Sequence, residues 1–346
     1  MKPSNSIETM NLSTTDGIDT AKLIAELGWQ FRVSRSLLAA HQAGFFEALR
    51  SPKTAVQLSL AQSTDAEVTE KVLIAMCALG LLDRRDDTYS LTDLARDIML
   101  PESVRYIGGA LDFSEYMWWE WSVLPDMLRG GKKYTERHRL MKQLQSGASY
   151  VSGPEYFTLA MHGKAVNGGA QFMVEHVDLC GRHLLVDIGG GPGTYSVAFC
   201  QRFPQLKAVV WDQPQPLEVA RQVVKHYELN DRIRLQPGDW ENDEFTHGGD
   251  VILLSNVIHG PRSNAPTILA KAFRALRPGG LLIVQEFLLN SQKTGPIPAA
   301  VFNIMVGAFS ESELIDLISS AGFTGARLLA TDPIVGSGIV TASKPL

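Results

Sequence analysis

Apolar residues in the first part of the chain recur every three or four positions, which is the spacing of one buried helix face. The pattern runs through residues 18–50 and 55–62. It resumes after Ser63-Thr64-Asp65, a run typical of a helix cap. We expect this last helix to bury one face, formed by Val68, Val72, Leu73, Met76 and Leu79.

A short hairpin is predicted next, with Leu81-Leu82 and residues 89–91 as strands and Asp86-Asp87 as the turn. Helices followed by a hairpin predict a winged helix, a fold that often binds DNA. Residues 21–100, however, hold nine Lys or Arg against ten Asp or Glu, and a DNA reader needs a basic face. The helix that would enter the groove opens with Asp65-Ala66-Glu67. We therefore favour a dimerisation domain over a DNA-binding regulator, which remains the less favoured alternative.

Residues 101–180 are predicted to form a helical connector. Trp118, Trp119 and Trp121 fall within four positions of it and cannot all face one core on a helix. We expect at least one of them to line a cavity.

From residue 183 onward, apolar runs typical of buried strands alternate with helices. The predicted strands are HLLVDIG, AVVWD, RIRLQPGD, DVILLSNVI, LLIVQEFLL, ARLLATD and GSGIVTAS, and RPGG is predicted as a turn. This alternation predicts an α/β domain with a mostly parallel sheet covered on both faces. The short connection between the last two strands indicates an antiparallel hairpin at one edge.

The composition fits a globular enzyme rather than a nucleic-acid or membrane protein. The 346 residues are 45% hydrophobic and 20% charged, and the net charge of −5 gives no reason to bind DNA or an anionic membrane. Cys77, Cys180 and Cys200 lie far apart, so we expect buried thiols and no metal site. The N-terminus lacks the apolar core of a signal peptide, and no apolar run is long enough to span a membrane. We expect a cytoplasmic protein.

A glycine loop follows the first strand of the α/β domain. Its pattern is Gly-x-Gly-x-Gly at Gly189, Gly191 and Gly193, preceded by Asp187; the dinucleotide fingerprint would need a glycine where Thr194 stands. Glycines let a ligand approach the backbone, and the N–H groups of the following helix suit a carboxylate. No lysine follows the loop, which argues against a nucleoside triphosphate.

Acidic and aromatic residues end the next two strands. Asp212 lies 23 residues after Gly189, where an acid can accept both hydroxyls of a ribose. Gly238, Asp239 and Trp240 follow the third strand, where an acid and an aromatic ring can bind and cover an adenine. An adenosine with an amino-acid tail suits this order, and S-adenosylmethionine is such a ligand.

On these motifs the chain resembles the class I small-molecule O-methyltransferases, of the plant caffeate and flavonoid, acetylserotonin, hydroxyneurosporene and bacterial polyketide-tailoring type. VDIGGGPGTY, AVVWDQP, GDW, SNVIH and ALRPGGLLIVQEFLL carry the resemblance, which covers about residues 20–344. It implies S-adenosylmethionine as cofactor and a small-molecule acceptor. It also implies a homodimer in which one subunit's N-terminal domain closes part of the partner's pocket.

The resemblance also implies a division of the chain. We expect a disordered segment or arm at 1–17, a winged-helix dimerisation domain at 18–100 and a connector lining the acceptor pocket at 101–180. A Rossmann-like, seven-stranded methyltransferase domain would fill residues 181–346.

The resemblance places the general base at His259, after the fourth strand, with Glu286 as the second catalytic acid at the end of the fifth. Gly260-Pro261 replaces the Asp-Trp pair of the family. The family's third acid falls on Ala308 or Phe309 and is lost here, unless Glu311 replaces it. The alternative is that His259 is a loop residue without a role.

The resemblance also indicates further residues that contact the cofactor or the acceptor. We expect Ser255 to contact the cofactor, and Trp118, Trp121, Met161, Asn256 and Asn303 to contact the acceptor. The altered turn and the missing acid leave C-, N- or S-methylation open, as well as a non-methylating use of the same cofactor.

Overall fold

The computed structural model describes residues 18–130, 154–240, 242–261 and 263–346. The chain divides into two compact units, Met1–Arg96 and Asp97–Leu346. The expected arm at 1–17 and part of the expected connector lie outside the described residues. The four-part division of the chain stays a prediction. No helix among the described residues is long and apolar enough to cross a membrane.

The elements are numbered in chain order. The helices are α1 (Ile18–Gln42), α2 (Phe45–Ala48), α3 (Ala55–Gln62), α4 (Ala66–Ala78), α5 (Asp93–Met99), α6 (Gly108–Ser122), α7 (Leu124–Gly130), α8 (Pro154–Lys164), α9 (Ala170–His176), α10 (Thr194–Arg202), α11 (Pro214–His226), α12 (Ala265–Ala275), α13 (Ile297–Met305) and α14 (Glu311–Ser320), with a π-helical turn at Ala165–Gly169. The strands are β1 (Lys53–Thr54), β2 (Leu82–Arg85), β3 (Thr88–Leu91), β4 (Leu184–Ile188), β5 (Lys207–Asp212), β6 (Ile233–Pro237), β7 (Gly249–Ser255), β8 (Leu276–Leu289), β9 (Phe309–Ser310), β10 (Thr324–Asp332) and β11 (Ser337–Ser343).

The first unit contains the helices and the hairpin expected of a winged helix. Strands β2 and β3 pair antiparallel around Asp86, and β1 joins them in the order β1-β3-β2. The cap of α4 is confirmed, because the Asp65 side chain accepts the backbone N–H of Val68 at 2.8 Å.

The predicted buried face of α4 is partly wrong. The helix buries Thr69, Leu73 and Met76, whereas Val68 is 57% exposed and Leu79 is 40% exposed. Positions 69, 73 and 76 follow the i, i+4, i+7 spacing of one helix face, which packs against α3 and β2. Apolar periodicity alone did not indicate that a threonine belongs to this face.

The second unit is built on one sheet in the order β10-β11-β8-β7-β4-β5-β6. The strands from β8 to β6 run parallel, while β10 and β11 form the antiparallel edge hairpin that the sequence predicts. Apolar side chains pack on both faces of this sheet, in two separate buried clusters. The expected α/β methyltransferase architecture is confirmed.

Three local features differ from the sequence prediction. The RPGG segment is not a turn before a strand: β8 already begins at Leu276, and the register with β7 shifts between Gly249 and Val251 to accommodate the extra residues. Helix α13 and the short strand β9 were not predicted.

Candidate functional site

The glycine loop lies at the edge of the sheet where the parallel strands end. Gly189, Gly191 and Gly193 have φ values of 64°, 52° and 70°, a region in which a side chain strains the backbone. A Cβ built on Gly191 meets no atom within 4 Å, so the loop faces open space there.

Asp212, the last residue of β5, connects this loop to the strand by hydrogen bonds. Its Oδ2 accepts the N–H of Gly191 at 2.8 Å, and its Oδ1 accepts the N–H of Gln213 at 2.7 Å. Each carboxylate oxygen can accept more than one hydrogen bond, so both retain capacity for a ligand hydroxyl.

A cavity of about 220 Å³ opens beside this carboxylate. It is lined by Gly189, Trp211, Asp212, Gln213, Gly238 and Trp240. A Cβ on Gly238 would overlap the ring of Trp211, so only glycine allows the backbone to lie this close to the indole. The cavity therefore combines a carboxylate with two indole rings, a combination suited to a ribose and a flat base.

Lys271 holds the segment that carries Trp240. This lysine is 6% exposed, and its Nζ donates to the carbonyl oxygens of Trp240 at 2.6 Å and Asp243 at 2.8 Å. Within the same segment Asp239 Oδ2 accepts a hydrogen bond from Asn242 Nδ2 at 2.7 Å, and Asp239 does not line the cavity.

Asp187 lies buried beneath the glycine loop. A Cβ on Gly190 would stand 2.8 Å from its carboxyl carbon. Burial raises the pKa of the Asp187 carboxyl to about 7; the hydroxyl of Ser196, which donates to Oδ2 at 2.7 Å, opposes this shift. Its Oδ1 is buried and has no hydrogen-bond partner in the part of the chain that the structure describes.

A histidine of α8, His162, contacts the start of α10. His162 Nδ1 lies 2.8 Å from the hydroxyl oxygen of Thr194, the residue that follows the glycine loop. Burial lowers the pKa of His162, and His226 lowers it further, which favours the neutral imidazole beside the loop.

His259, in the loop after β7, and Glu286, near the end of β8, form a hydrogen-bonded pair. The Nδ1 of His259 lies 2.9 Å from Glu286 Oε2, and the N–H of Ile258 donates to Oε1 at 2.9 Å. The Glu286 side chain is 2% exposed and the His259 side chain 28% exposed. Because a carboxylate only accepts, this arrangement puts the ring proton on Nδ1 and leaves Nε2 as the acceptor. Within the described ranges Nε2 has no hydrogen-bond partner.

The Gly260-Pro261 turn does not separate His259 from Glu286. Gly260 has a φ of 67°, and a Cβ there would lie 2.9 Å from the backbone of Gly307. The turn thus packs against the segment that follows α13. In that segment Ala308 and Phe309 occupy the place of the third acid and are buried, so no carboxylate stands there.

Comparisons with known proteins decide the family. A sequence model of the O-methyltransferase domain matches residues 157–324, and one of the O-methyltransferase dimerisation domain matches residues 26–100. The chain belongs to the S-adenosylmethionine-dependent O-methyltransferase family.

Three similar proteins illustrate the range of this family. The 3-hydroxy-5-methyl-1-naphthoate 3-O-methyltransferase of Streptomyces sahachiroi is 28% identical, over 93% of this chain and 95% of that protein. The L-tyrosine C(3)-methyltransferase of Streptomyces lavendulae is 26% identical, over 79% of this chain and 76% of that protein. The crystal structure of human N-acetylserotonin methyltransferase with S-adenosylmethionine matches with a TM-score of 0.80 and 23% identity, covering 97% of this chain and 100% of that one.

The geometry fits the family's cofactor. The glycine loop leaves open space at Gly191, Asp212 keeps acceptor capacity, and the cavity beside them has the rings of Trp211 and Trp240 in its wall. These residues would hold S-adenosylmethionine, with the ribose at Asp212 and the adenine between the cavity walls. Gly189, Asp212, Gly238 and Trp240 line this cavity, as expected of cofactor-binding residues. The other expected cofactor residues do not line it: Asp187, Gly191, Gly193, Asp239 and Ser255.

The remaining expected residues are placed as follows. The Ser255 hydroxyl donates to Gln285 Oε1 at 2.8 Å. Asn256 has a φ of 55° and a buried Oδ1 without a hydrogen-bond partner among the described residues. Asn303 is exposed, and its Oδ1 accepts the N–H of Ala308 at 2.9 Å. Trp118 and Trp121 on α6 and Met161 on α8 are half-buried, and these two helices pack together.

Sequence reasoning missed several residues of the site. Trp211 and Gln213 flank Asp212 and line the cavity, but a tryptophan inside an apolar strand reads as core. Phe287 and Phe302 stack at 3.9 Å between centroids, and the Phe302 ring meets His259 edge-on at 5.2 Å. The position of Phe287 directly after Glu286 was the only feature of the sequence that could have indicated this ring as part of the site.

Among the described residues, no group of three or more His, Cys, Asp or Glu side chains is placed to hold a metal ion.

Proposed function

We propose that this enzyme methylates a hydroxyl group, phenolic in character, of a small secondary metabolite, with His259 as the general base. The observation that carries the proposal is the pairing of His259 Nδ1 with Glu286, which leaves Nε2 as a proton acceptor. S-adenosylmethionine supplies an electrophilic methyl group when bound. The protein has to position the acceptor oxygen and remove its proton.

Glu286 gives the imidazole the orientation and charge that this role needs. The N–H of Ile258 donates to its other carboxylate oxygen, which helps to hold the carboxylate against His259. As Nε2 takes the acceptor's proton the ring becomes a cation, and the buried carboxylate stabilises that cation. An ordinary phenol has a pKa several units above that of an imidazolium, so the transfer is favourable only when it accompanies bond formation at the oxygen.

The aromatic surroundings favour an aromatic acceptor. Phe302 contacts His259 by its edge and stacks on Phe287. Flat apolar rings beside a base give a surface on which another ring can pack. The naphthoate O-methyltransferase named above acts on a hydroxyl of such a ring system, and the same substrate class is proposed here.

One observation favours a second candidate. The place of the third acid is filled by buried Ala308 and Phe309, and one relative is a tyrosine C(3)-methyltransferase. Deprotonation of a phenol also activates the ring carbon beside the hydroxyl, so His259 would serve C-methylation equally well. N-methylation has one relative in its favour, an N,N-dimethyltransferase of Streptomyces rimosus that is 23% identical over 94% of this chain, but no feature of the site.

We further propose that the enzyme is a homodimer. It contains the family's dimerisation domain, and α1 exposes Leu27, Trp29, Phe31 and Val33 in the single chain. At this spacing the side chains lie on two different sides of the helix, and covering so much exposed apolar surface is a reason to associate. The apolar surface and the balanced charge of this domain support dimerisation over DNA binding.

The experiment is a methyl-transfer assay with S-adenosylmethionine labelled in the methyl group. A panel of phenols, thiols, amines and activated ring carbons serves as acceptors, and mass spectrometry locates the label. We expect the label on a phenolic oxygen. Label on carbon would make C-methylation the function, and transfer to none of the acceptors would overturn the proposal.

A further inference from the structure

Lys164 lies at the far end of the aromatic contacts that begin at His259. It is the last residue of α8, and its Nζ is 5.6 Å from the centroid of the Phe287 ring. Phe287 stacks on Phe302 with an interplanar angle of 15°, and Phe302 meets His259. Lys164 and His259, the proposed base, thus lie at the two ends of one chain of aromatic contacts.

No described residue neutralises this cation. Across residues 18–130, 154–240, 242–261 and 263–346, no carboxylate pairs with Lys164 and no acceptor takes a hydrogen bond from its Nζ. The nearest carboxylate along β8 is Glu286, next to Phe287. Neighbouring side chains on a strand point to opposite faces of the sheet, and both Glu286 oxygens are already engaged by Ile258 and His259.

The surroundings of Lys164 also make its charge costly. The protein around the ammonium group lowers the pKa of Lys164 through loss of hydration. The side chain nevertheless keeps access to solvent, as a ligand-binding group requires. A charge that has lost part of its hydration and has no anionic partner in the protein gains most from an anion brought by a ligand.

We infer that Lys164 binds a carboxylate of the acceptor, so that the substrates are hydroxyaryl carboxylic acids. The inference rests on the proposed methylation of a hydroxyl group. The hydroxyl would face His259, the ring would pack beside Phe302 and Phe287, and the carboxylate would reach Lys164. A single lysine, which is a compact point charge, matches the single negative charge of a carboxylate.

The test compares hydroxybenzoic and hydroxynaphthoic acids with their methyl esters, which have a similar shape and no charge. Each pair is assayed with the wild-type enzyme, Lys164→Met, Lys164→Arg and the control Lys207→Met. Lys207 is an exposed lysine at the first position of β5, at the opposite end of the parallel strands from the site. Calorimetric titration with S-adenosylmethionine verifies that each variant still binds its cofactor.

We expect the wild-type enzyme to prefer the acids. Lys164→Met should lower kcat/KM for an acid by about 10- to 100-fold, mainly through KM, because a charge-assisted hydrogen bond is lost. Its kcat/KM for the ester should stay within about twofold of wild type, since an ester forms no such ion pair. Lys164→Arg should retain most of the preference for acids, and Lys207→Met should behave as wild type.

Two results would overturn the inference while leaving the proposed function intact. One is an equal loss for acid and ester in Lys164→Met, which indicates a structural role. The other is an unchanged kcat/KM for the acids in Lys164→Met, which shows that the lysine does not bind their carboxylate. If the wild-type enzyme methylates none of the acids, esters or simple phenols, O-methylation itself fails and this inference fails with it.

Discussion

Glu286 joins His259 to the backbone of the loop that carries it. One carboxylate oxygen lies 2.9 Å from His259 Nδ1, and the other accepts the N–H of Ile258 at 2.9 Å. The carboxylate therefore fixes both the ring and the chain segment before it. This relationship explains how the site tolerates a Gly260-Pro261 turn.

The glycine loop gives the first prediction. Gly191→Val should abolish binding of S-adenosylmethionine, because the new side chain would enter the open space beside the loop. Gly181→Val is the matched control: this glycine also has a positive φ, of 73°, and its Cβ also meets no atom within 4 Å, but it precedes β4. Both variants carry similar backbone strain. Calorimetric titration should show binding only in the control, and unchanged affinity in Gly191→Val would contradict the cofactor assignment.

The second prediction compares the effects of replacing Asp212 and Asp239 on cofactor binding. Asp212→Ala should weaken S-adenosylmethionine binding by roughly 1.5–3 kcal/mol, since it removes hydrogen bonds to a charged group and releases the N–H of Gly191. Asp239→Ala should have a smaller effect, because Asp239 does not line the cavity. Titration of both variants measures the difference. A larger loss in Asp239→Ala would reverse the assignment of the ribose-binding acid.

The third prediction concerns how the stability of the cofactor-free protein depends on pH, through the carboxyl group of Asp187. Burial raises its pKa from 3.8 to about 7, so the folded protein holds a proton that the unfolded chain has released. The contribution of Asp187 to stability is therefore fully present below about pH 4 and is lost as the pH rises towards and through 7. A shift of this size corresponds to roughly 4 kcal/mol between the two ends of the window.

Urea unfolding at pH 4.5 and at pH 8 measures this effect. The wild-type protein should lose stability over that interval relative to Asp187→Asn, whose amide does not titrate. Asp231→Asn, at an exposed position, should follow the wild-type protein. Parallel behaviour of wild type and Asp187→Asn would show that the buried carboxyl does not titrate in this range.

The parts of the site that follow strand ends were predictable from the sequence. The pattern of β4, β5 and β7 placed Asp187, Asp212 and His259 at one edge, because parallel strands all end there. Glu286 was predictable for the same reason, as β8 lies beside β7.

Contacts between distant segments were not predictable. The stacking of Phe287 on Phe302 depends on how α13 returns to the end of β8, and the sequence pattern did not indicate α13. The hydrogen bond from Asn242 to the Asp239 side chain depends on a local turn that the GDW motif does not specify. The partner of a side chain is set by tertiary packing, which a one-dimensional pattern does not contain.

In the proposed mechanism His259 removes the acceptor's proton while Glu286 orients the imidazole ring. Turnover of the best phenolic acceptor by wild type, His259→Ala and Glu286→Gln tests this mechanism most directly. His259→Ala should lower kcat by roughly 10²- to 10⁴-fold, which is the usual contribution of a general base. Its affinity for the cofactor should not change. Glu286→Gln should cost less, because its one amide oxygen can still accept the Nδ1 proton, although its NH2 group cannot accept the N–H of Ile258. Near-wild-type turnover by His259→Ala would contradict the account and leave positioning alone to explain the rate.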